Sequence, residues 1–221
     1  MMQDYERFLS LLSEIIQSEQ KLFGEIVKEL NIKTNKKDFI ETYKDSRLID
    51  LYQKRRTWTV VINHYILPYI ILQMGYAPQN EYYRIDVIGY NGIIKEDLIE
   101  MGKRLDLTPY GWRMRIAIEH ENAQGKWIDE AVKLANIYCP LRVVIGYNRP
   151  LHKDERSEQF EKECIKYFFE CLRETGKQIG TVYDGKMLIL FGQRDEKGEW
   201  SKIKYNSYLL DLSTKKYDKQ F

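Results

Sequence analysis

Residues 112–121 read WRMRIAIEHE, and the fold assignment turns on how that stretch alternates. Met114, Ile116, Ile118 and His120 fall on one side of an extended strand, and Arg113, Arg115, Ala117, Glu119 and Glu121 on the other, because successive side chains of a strand point to opposite faces. The first side is apolar except for its histidine. The second carries two carboxylates at i and i+2, about 6.5–7 Å apart at Cα in an extended chain. Such a strand buries its apolar side against a core.

The downstream sequence supplies further elements. Gly125 breaks the strand, Trp127 to Ile137 has helical spacing, and Leu141 to Tyr147 is a compact apolar run. Glu155 to Glu174 reads as a long helix carrying Phe160, Cys164, Tyr167, Phe168 and Cys171. Lys186 to Gly192 is a further strand, Asp195 to Gly198 a turn, and Tyr205 to Leu210 a last strand. Strands separated by helices predict parallel pairing through crossover helices.

Upstream, Tyr82 to Tyr90 alternates as a strand, with Asp86 beside Ile85 and Val87, and Asn91-Gly92 follows as a turn signal. Lys95 to Leu105 is spaced as a short helix. Arg47 to Met74 reads as helical, with Pro68 expected to kink or split it and Gly75 to end it. Before that, Tyr5, Phe8, Leu12, Ile15, Leu22, Ile26 and Leu30 define an amphipathic helix over Tyr5 to Leu30. A polar connection spans Asn31 to Lys37, and a short helix is expected from Asp38 to Tyr43. The expected organisation is an N-terminal helical region, residues 1–45, and an α/β domain, residues 46–221, with a mixed central sheet flanked by helices. The stripe of the first helix is expected to pack on the domain or to pair with a second copy of the chain in a homodimer.

A chain of 221 residues, 43% hydrophobic and 31% charged, suits one well-buried domain. Its net charge of +2 does not announce a nucleic-acid partner, so any basic surface must be local. Cys139, Cys164 and Cys171 form no CxxC pair and read as reduced core thiols. No basic, apolar and small-residue succession opens the chain, so the cytoplasm is the expected location. Thr57 to Tyr76 approaches the length of a membrane span but contains Asn63, His64, Pro68 and Gln73, which fits a helix buried in protein and no membrane. Walker-type glycine loops, zinc-finger spacing and HExxH helices are absent from the sequence, which argues against nucleotide hydrolysis and zinc peptidase chemistry.

If the strand of Asp86 neighbours that of Glu119 and Glu121, three carboxylates approach one point. Like charges so placed call for a hard cation such as Mg²⁺ or Mn²⁺, bound through oxygen at about 2.0–2.1 Å. Such an ion polarises a phosphoryl oxygen, while Glu121 is placed to accept a proton from water. From periodicity alone a solvated edge-strand face explains the same residues, and a carboxylate pair about 5–10 Å apart also serves glycosidases.

The pieces Tyr83-Arg84-Ile85-Asp86-Val87 and Ile116-Ala117-Ile118-Glu119-His120-Glu121-Asn122, followed by a helix and Arg142-Val143-Val144-Ile145, resemble the core of the PD-(D/E)XK, or restriction-endonuclease-like, superfamily over residues 82–147. The resemblance implies a nuclease fold in which Asp86 and Glu119 hold Mg²⁺ or Mn²⁺ and Glu121 stands in the place of the family lysine. Ile85 stands where the family has proline. Lys126, just beyond the strand, is the candidate for returning an amine to the site. The implied activity is endonuclease-like hydrolysis of nucleic acid, with DNA the expected substrate and restriction or defence the expected setting. A non-catalytic member of the fold that binds nucleic acid or a partner protein is the alternative. Arg55 and Arg56, beside Lys54 and Trp58, and the pair Arg113 and Arg115 are the candidates for phosphate contact.

Overall fold

The computed structural model of the chain describes residues 3–18, 25, 26, 28, 30, 46–52, 54–92, 96–106, 112–122, 126–147, 154–179, 183–192 and 203–220. Seven strands form one sheet in sequence order: β1 (Ala77–Tyr82), β2 (Ile85–Gly92), β3 (Trp112–His120), β4 (Leu141–Tyr147), β5 (Lys186–Gly192), β6 (Tyr205–Asp211) and β7 (Lys216–Lys219). β3, β4 and β5 run parallel, and each outer pair is antiparallel. The parallel centre is the part buried on both faces, which is why all seven residues of β4 are buried and its sequence does not alternate.

The helices are α1 (Asp4–Gln17), α2 (Leu48–Tyr52), α3 (Arg55–Val61), a π-helical segment over Ile62–Ile66, α4 (Leu67–Gln73), α5 (Glu96–Arg104), α6 (Trp127–Ala135) and α7 (Asp154–Ile179). They make two layers. Side chains of α1 to α4 pack with Val87, Ile116, Ile118, Val143 and Ile145 on one sheet face. Those of α6 and α7 pack with Ile88, Ala117, Val144, Met187 and Ile189 on the other. The mixed sheet flanked by helices is therefore present. Phe8, Leu9, Leu12 and Ile15 bring α1 into the first layer, and no helix among the described residues is long and apolar enough to cross a membrane.

Four local expectations are corrected. The single helix expected over Tyr5 to Leu30 is interrupted: α1 stops at Gln17, where Ser18 turns extended and its hydroxyl bonds the Ile15 carbonyl, competing with the helical ladder, while Glu25, Ile26 and Lys28 are helical as expected. The break expected at Pro68 is a π-helical turn just ahead of it, whose wider winding accommodates a residue with no N–H to give. Tyr82 to Tyr90 is not one strand: a two-residue turn at Tyr83-Arg84 separates β1 from β2, with Tyr82 paired to Ile85. Asn91 and Gly92 extend β2 rather than turning. Gly75, at φ +86°, does end α4, with Gly75 N–H bonding Leu72 O and Tyr76 N–H bonding Ile71 O. The short helix expected over Asp38 to Tyr43 and the turn at Asp195 to Gly198 lie outside the described residues.

Between β2 and β3 the register shifts at Gly89/Tyr90: Gly89 pairs with Ile116, but Tyr90 pairs with Met114. The bulge inserts Arg115 as an extra residue and reverses the alternation before it. Met114 accordingly packs with the α6–α7 layer, and Arg115 turns to the α1 side, where it ion-pairs with Asp4 at 3.3 Å and lies over the Tyr76 ring.

The bulge brings β2 close to α4. A Cβ built on Gly89 would stand 2.8 Å from Ile71 Cγ2 and 3.5 Å from Ile116 Cβ, both in the closed core. Gly89→Ala is expected to cost about 1–3 kcal/mol by overpacking, read as a lower urea midpoint with an unchanged m-value.

Candidate active site

Val87 pairs with Ile118 in the antiparallel ladder, so one step further along Asp86 stands opposite Glu119, and directly opposed residues share a face. That face is the one covered by α6. Glu119 is 3% exposed, and its Oε1 lies 2.6 Å from Lys133 Nζ. The same ammonium contacts Glu130 and donates to the Arg84 carbonyl at 2.9 Å. Asp86 Oδ2 accepts the backbone N–H of His120 at 2.8 Å. The β1–β2 turn, β2, β3 and α6 thus all contribute to a single polar cluster.

Burial pushes the Glu119 carboxyl up to about 8, with Asp86 adding to the rise and Lys133 opposing it. Burial also raises Asp86; the His120 N–H and Lys133 pull it down, while Glu130 and Glu121 push it up. Burial works against the Lys133 ammonium too, but its contacts with Glu119 and Glu130 outweigh this and hold it charged. The two halves of the ion pair therefore pull in opposite directions. Lys133 is 34% exposed against 3% for Glu119, so its charge keeps some hydration, and the carboxyl is the partner that carries the titrating proton.

His120 projects to the opposite face. Its Nδ1 lies 2.6 Å from Asn63 Oδ1 and its Nε2 2.8 Å from the Tyr147 hydroxyl, which also accepts the Trp58 indole N–H at 2.7 Å. Asn63 sits on the π-helical turn. The strand end that holds Asp86 is therefore anchored from behind by a buried polar network, which fits a core histidine rather than a ligand.

Of the residues expected at the site, Asp86 and Glu119 come together. Glu121 lies just past the end of β3, its N–H bonded to Ile145 O and its charge felt at Asp86. Among the described residues no three Asp, Glu, His or Cys side chains are grouped to hold an ion, so the expected three-carboxylate cluster is a facing pair with a lysine. Lys126 is exposed at the N-cap of α6; the amine on the acids is that of Lys133, two turns further along. The sequence signal for it was the Glu130/Lys133 i,i+3 pair on the helix after the acidic strand.

Arg113 and Arg115 do not share the carboxylate face as expected, because the bulge turns Arg115 to α1 and Arg113 alternates with Met114. Arg56 is exposed on α3, in the layer behind the acids; the Arg55 side chain lies outside what is described. Trp58 is buried and unavailable for stacking. The three cysteines are free thiols, Cys139 being buried. No protein-family model matches the chain, and no curated protein matches its sequence.

The proton on Glu119 has a measurable consequence. Its folded pKa lies above the ordinary 4.5, so the folded state holds the extra proton between pH 4.5 and about 8. The stabilisation is complete below pH 4.5 and is lost as pH rises toward 8, with a slope of at most about 1.4 kcal/mol per pH unit. Urea titrations across this window should show wild-type stability falling with pH relative to Glu119→Gln, in which that component is missing.

Proposed function

We propose that the chain is a divalent-cation-dependent hydrolase of nucleic-acid phosphodiesters, with DNA as the expected substrate, acting in the cytoplasm and built on the PD-(D/E)XK plan. The observation that carries the reading is the facing pair Asp86 and Glu119 on adjacent antiparallel strands, with the Lys133 ammonium against it. The order of β2, β3, α6 and β4, with β4 parallel to β3, also suits that plan.

Two facing carboxyls of raised pKa, Glu119 buried and Asp86 half-buried, with a single ammonium against them make an acid-rich cluster that a cation would relieve. Mg²⁺ commonly takes only one or two carboxylates and keeps several waters, so the residues present fit it without a third acid. Asp86 and Glu119 would hold it. When bound, Mg²⁺ or Mn²⁺ supplies positive charge to the phosphoryl oxygens and acidity to a water. The chain's own residues do the rest. Lys133 sets a fixed positive charge beside the scissile phosphate, Glu121 takes the proton from the attacking water, and the His120 N–H keeps Asp86 turned into the site.

A second reading is favoured by Lys133 itself, whose ammonium already occupies Glu119 Oε1: a nuclease-fold protein that binds nucleic acid or a partner protein without turnover. Calorimetric titration of Mn²⁺ separates the two. On the hydrolase reading, affinity for Mn²⁺ rises about tenfold per pH unit below pH 8 as the Glu119 proton is displaced. Glu119→Gln loses that dependence, and Asp86→Asn lowers metal-stimulated cleavage by at least about 10²-fold. Absence of Mn²⁺ binding and of cleavage in wild type would leave the second reading standing.

A further inference from the structure

The tip of the β1–β2 hairpin is built against its own backbone preferences. Tyr83 and Arg84 have φ +45° and +65°, the pattern of a two-residue turn that ordinarily takes Asn-Gly or Gly-Gly. Neither residue gains burial in return. Tyr83 is 82% exposed, and Arg84 is exposed as well. The Tyr82 ring meets Tyr83 in a T-shaped contact, with centroids 4.6 Å apart at 84°, and most of the Tyr83 surface stays in solvent. The turn is also part of the acid cluster, since the Arg84 carbonyl accepts the Lys133 ammonium that contacts Glu119, and Asp86 follows two residues later. Strained backbone that holds an exposed aromatic ring and a guanidinium beside a reactive cluster points to a ligand.

The geometry points to the Tyr83-Arg84 turn as a substrate-binding platform at the rim of the Asp86–Glu119 site, where the Tyr83 ring stacks on an unpaired base and Arg84 holds the adjoining phosphate. This rests on the reading of the site as one for nucleic acid. An open aromatic face recognises the π-face of a base, which is available in single strands, ends and flaps and is covered inside a duplex. The guanidinium beside it is suited to backbone phosphate and carries no sequence preference. The substrate class is therefore nucleic acid with unpaired bases at the point of attack.

The test measures binding of the full chain, in Ca²⁺, to a labelled single-stranded oligonucleotide of about a dozen nucleotides, to its duplex and to an abasic strand of equal length. Removing one base–aromatic stack costs about 1–3 kcal/mol, so Tyr83→Ala should weaken single-strand binding about 5- to 150-fold, with Tyr83→Phe near wild type. Binding of the duplex and of the abasic strand should not change. Tyr83→Asn places a residue that favours positive φ in the turn, so it should raise the melting temperature while weakening the single-strand complex, which separates loss of the ring from loss of the fold. Single-strand binding that Tyr83→Ala leaves intact, or weakens equally for the abasic strand, overturns the platform and leaves the hydrolase reading in place. A ring-dependent single-strand complex without metal-stimulated cleavage supports the platform and overturns hydrolysis. Wild type that binds neither strand form overturns both.

Discussion

A carboxyl with 3% of its surface in water must either keep its proton or find a positive charge, and Glu119 is held between those two states. The Lys133 ammonium is close enough to favour ionisation, but burial and the facing Asp86 favour the neutral acid. Removing such a charge from water costs several kcal/mol, which one partly hydrated lysine does not fully return. This balance makes the α6 face of β3 unlike the rest of its layer. The buried Glu161 of α7, by contrast, is met by hydrogen-bond donors from Asn206 and Tyr208 and, among the described residues, faces no second carboxyl across a strand pair.

The cluster does not stand alone, because β3 carries one residue of consequence to each side. His120 sends its backbone N–H to Asp86 and its ring into the opposite layer, between Asn63 and Tyr147. A movement of the π-helical turn that carries Asn63 would therefore be felt at Asp86 through a single residue. The π geometry has a simple origin: Pro68 cannot donate in the helical ladder, and the wider turn before it places Asn63 over the end of β3. The parallel centre of β3, β4 and β5, buried on both faces, gives that lever a rigid support.

Much of this was legible in residues 112–121, because Ile116, Ile118 and His120 against Ala117 and Glu119 already encode two faces with different tasks. The bounds of β4 and β5 coincide with their apolar runs, since a strand buried on both sides is apolar on both, Arg142 alone in β4 being charged and bonded to the Ile137 and Asp184 carbonyls. The bulge was not legible. It lies at Gly89, which packs against Ile71 of α4 from 18 residues away in sequence, and it places Arg115 on the α1 side of the sheet. The hairpin at Tyr83-Arg84 was hidden because neither residue is one that prefers positive φ. Lys133 was missed because α6 brings its second turn, not its first, over Glu119.

The sign of the cluster constrains what can approach it. Asp86, Glu119, Glu121 and Glu130 surround one lysine, so a phosphodiester meets net negative charge unless a cation or an added proton intervenes. Of the two arginines expected on the carboxylate face, Arg115 is paired to Asp4 on the far side and does not offset it. Among the described residues, Lys133 and Arg84 at the hairpin tip are positive charges tied to one turn, the Arg84 carbonyl accepting from the Lys133 ammonium. Any anionic ligand of this face is thus drawn to the edge where β1 meets β2, and a cation held by the facing carboxyls would extend that attraction inward along the strands.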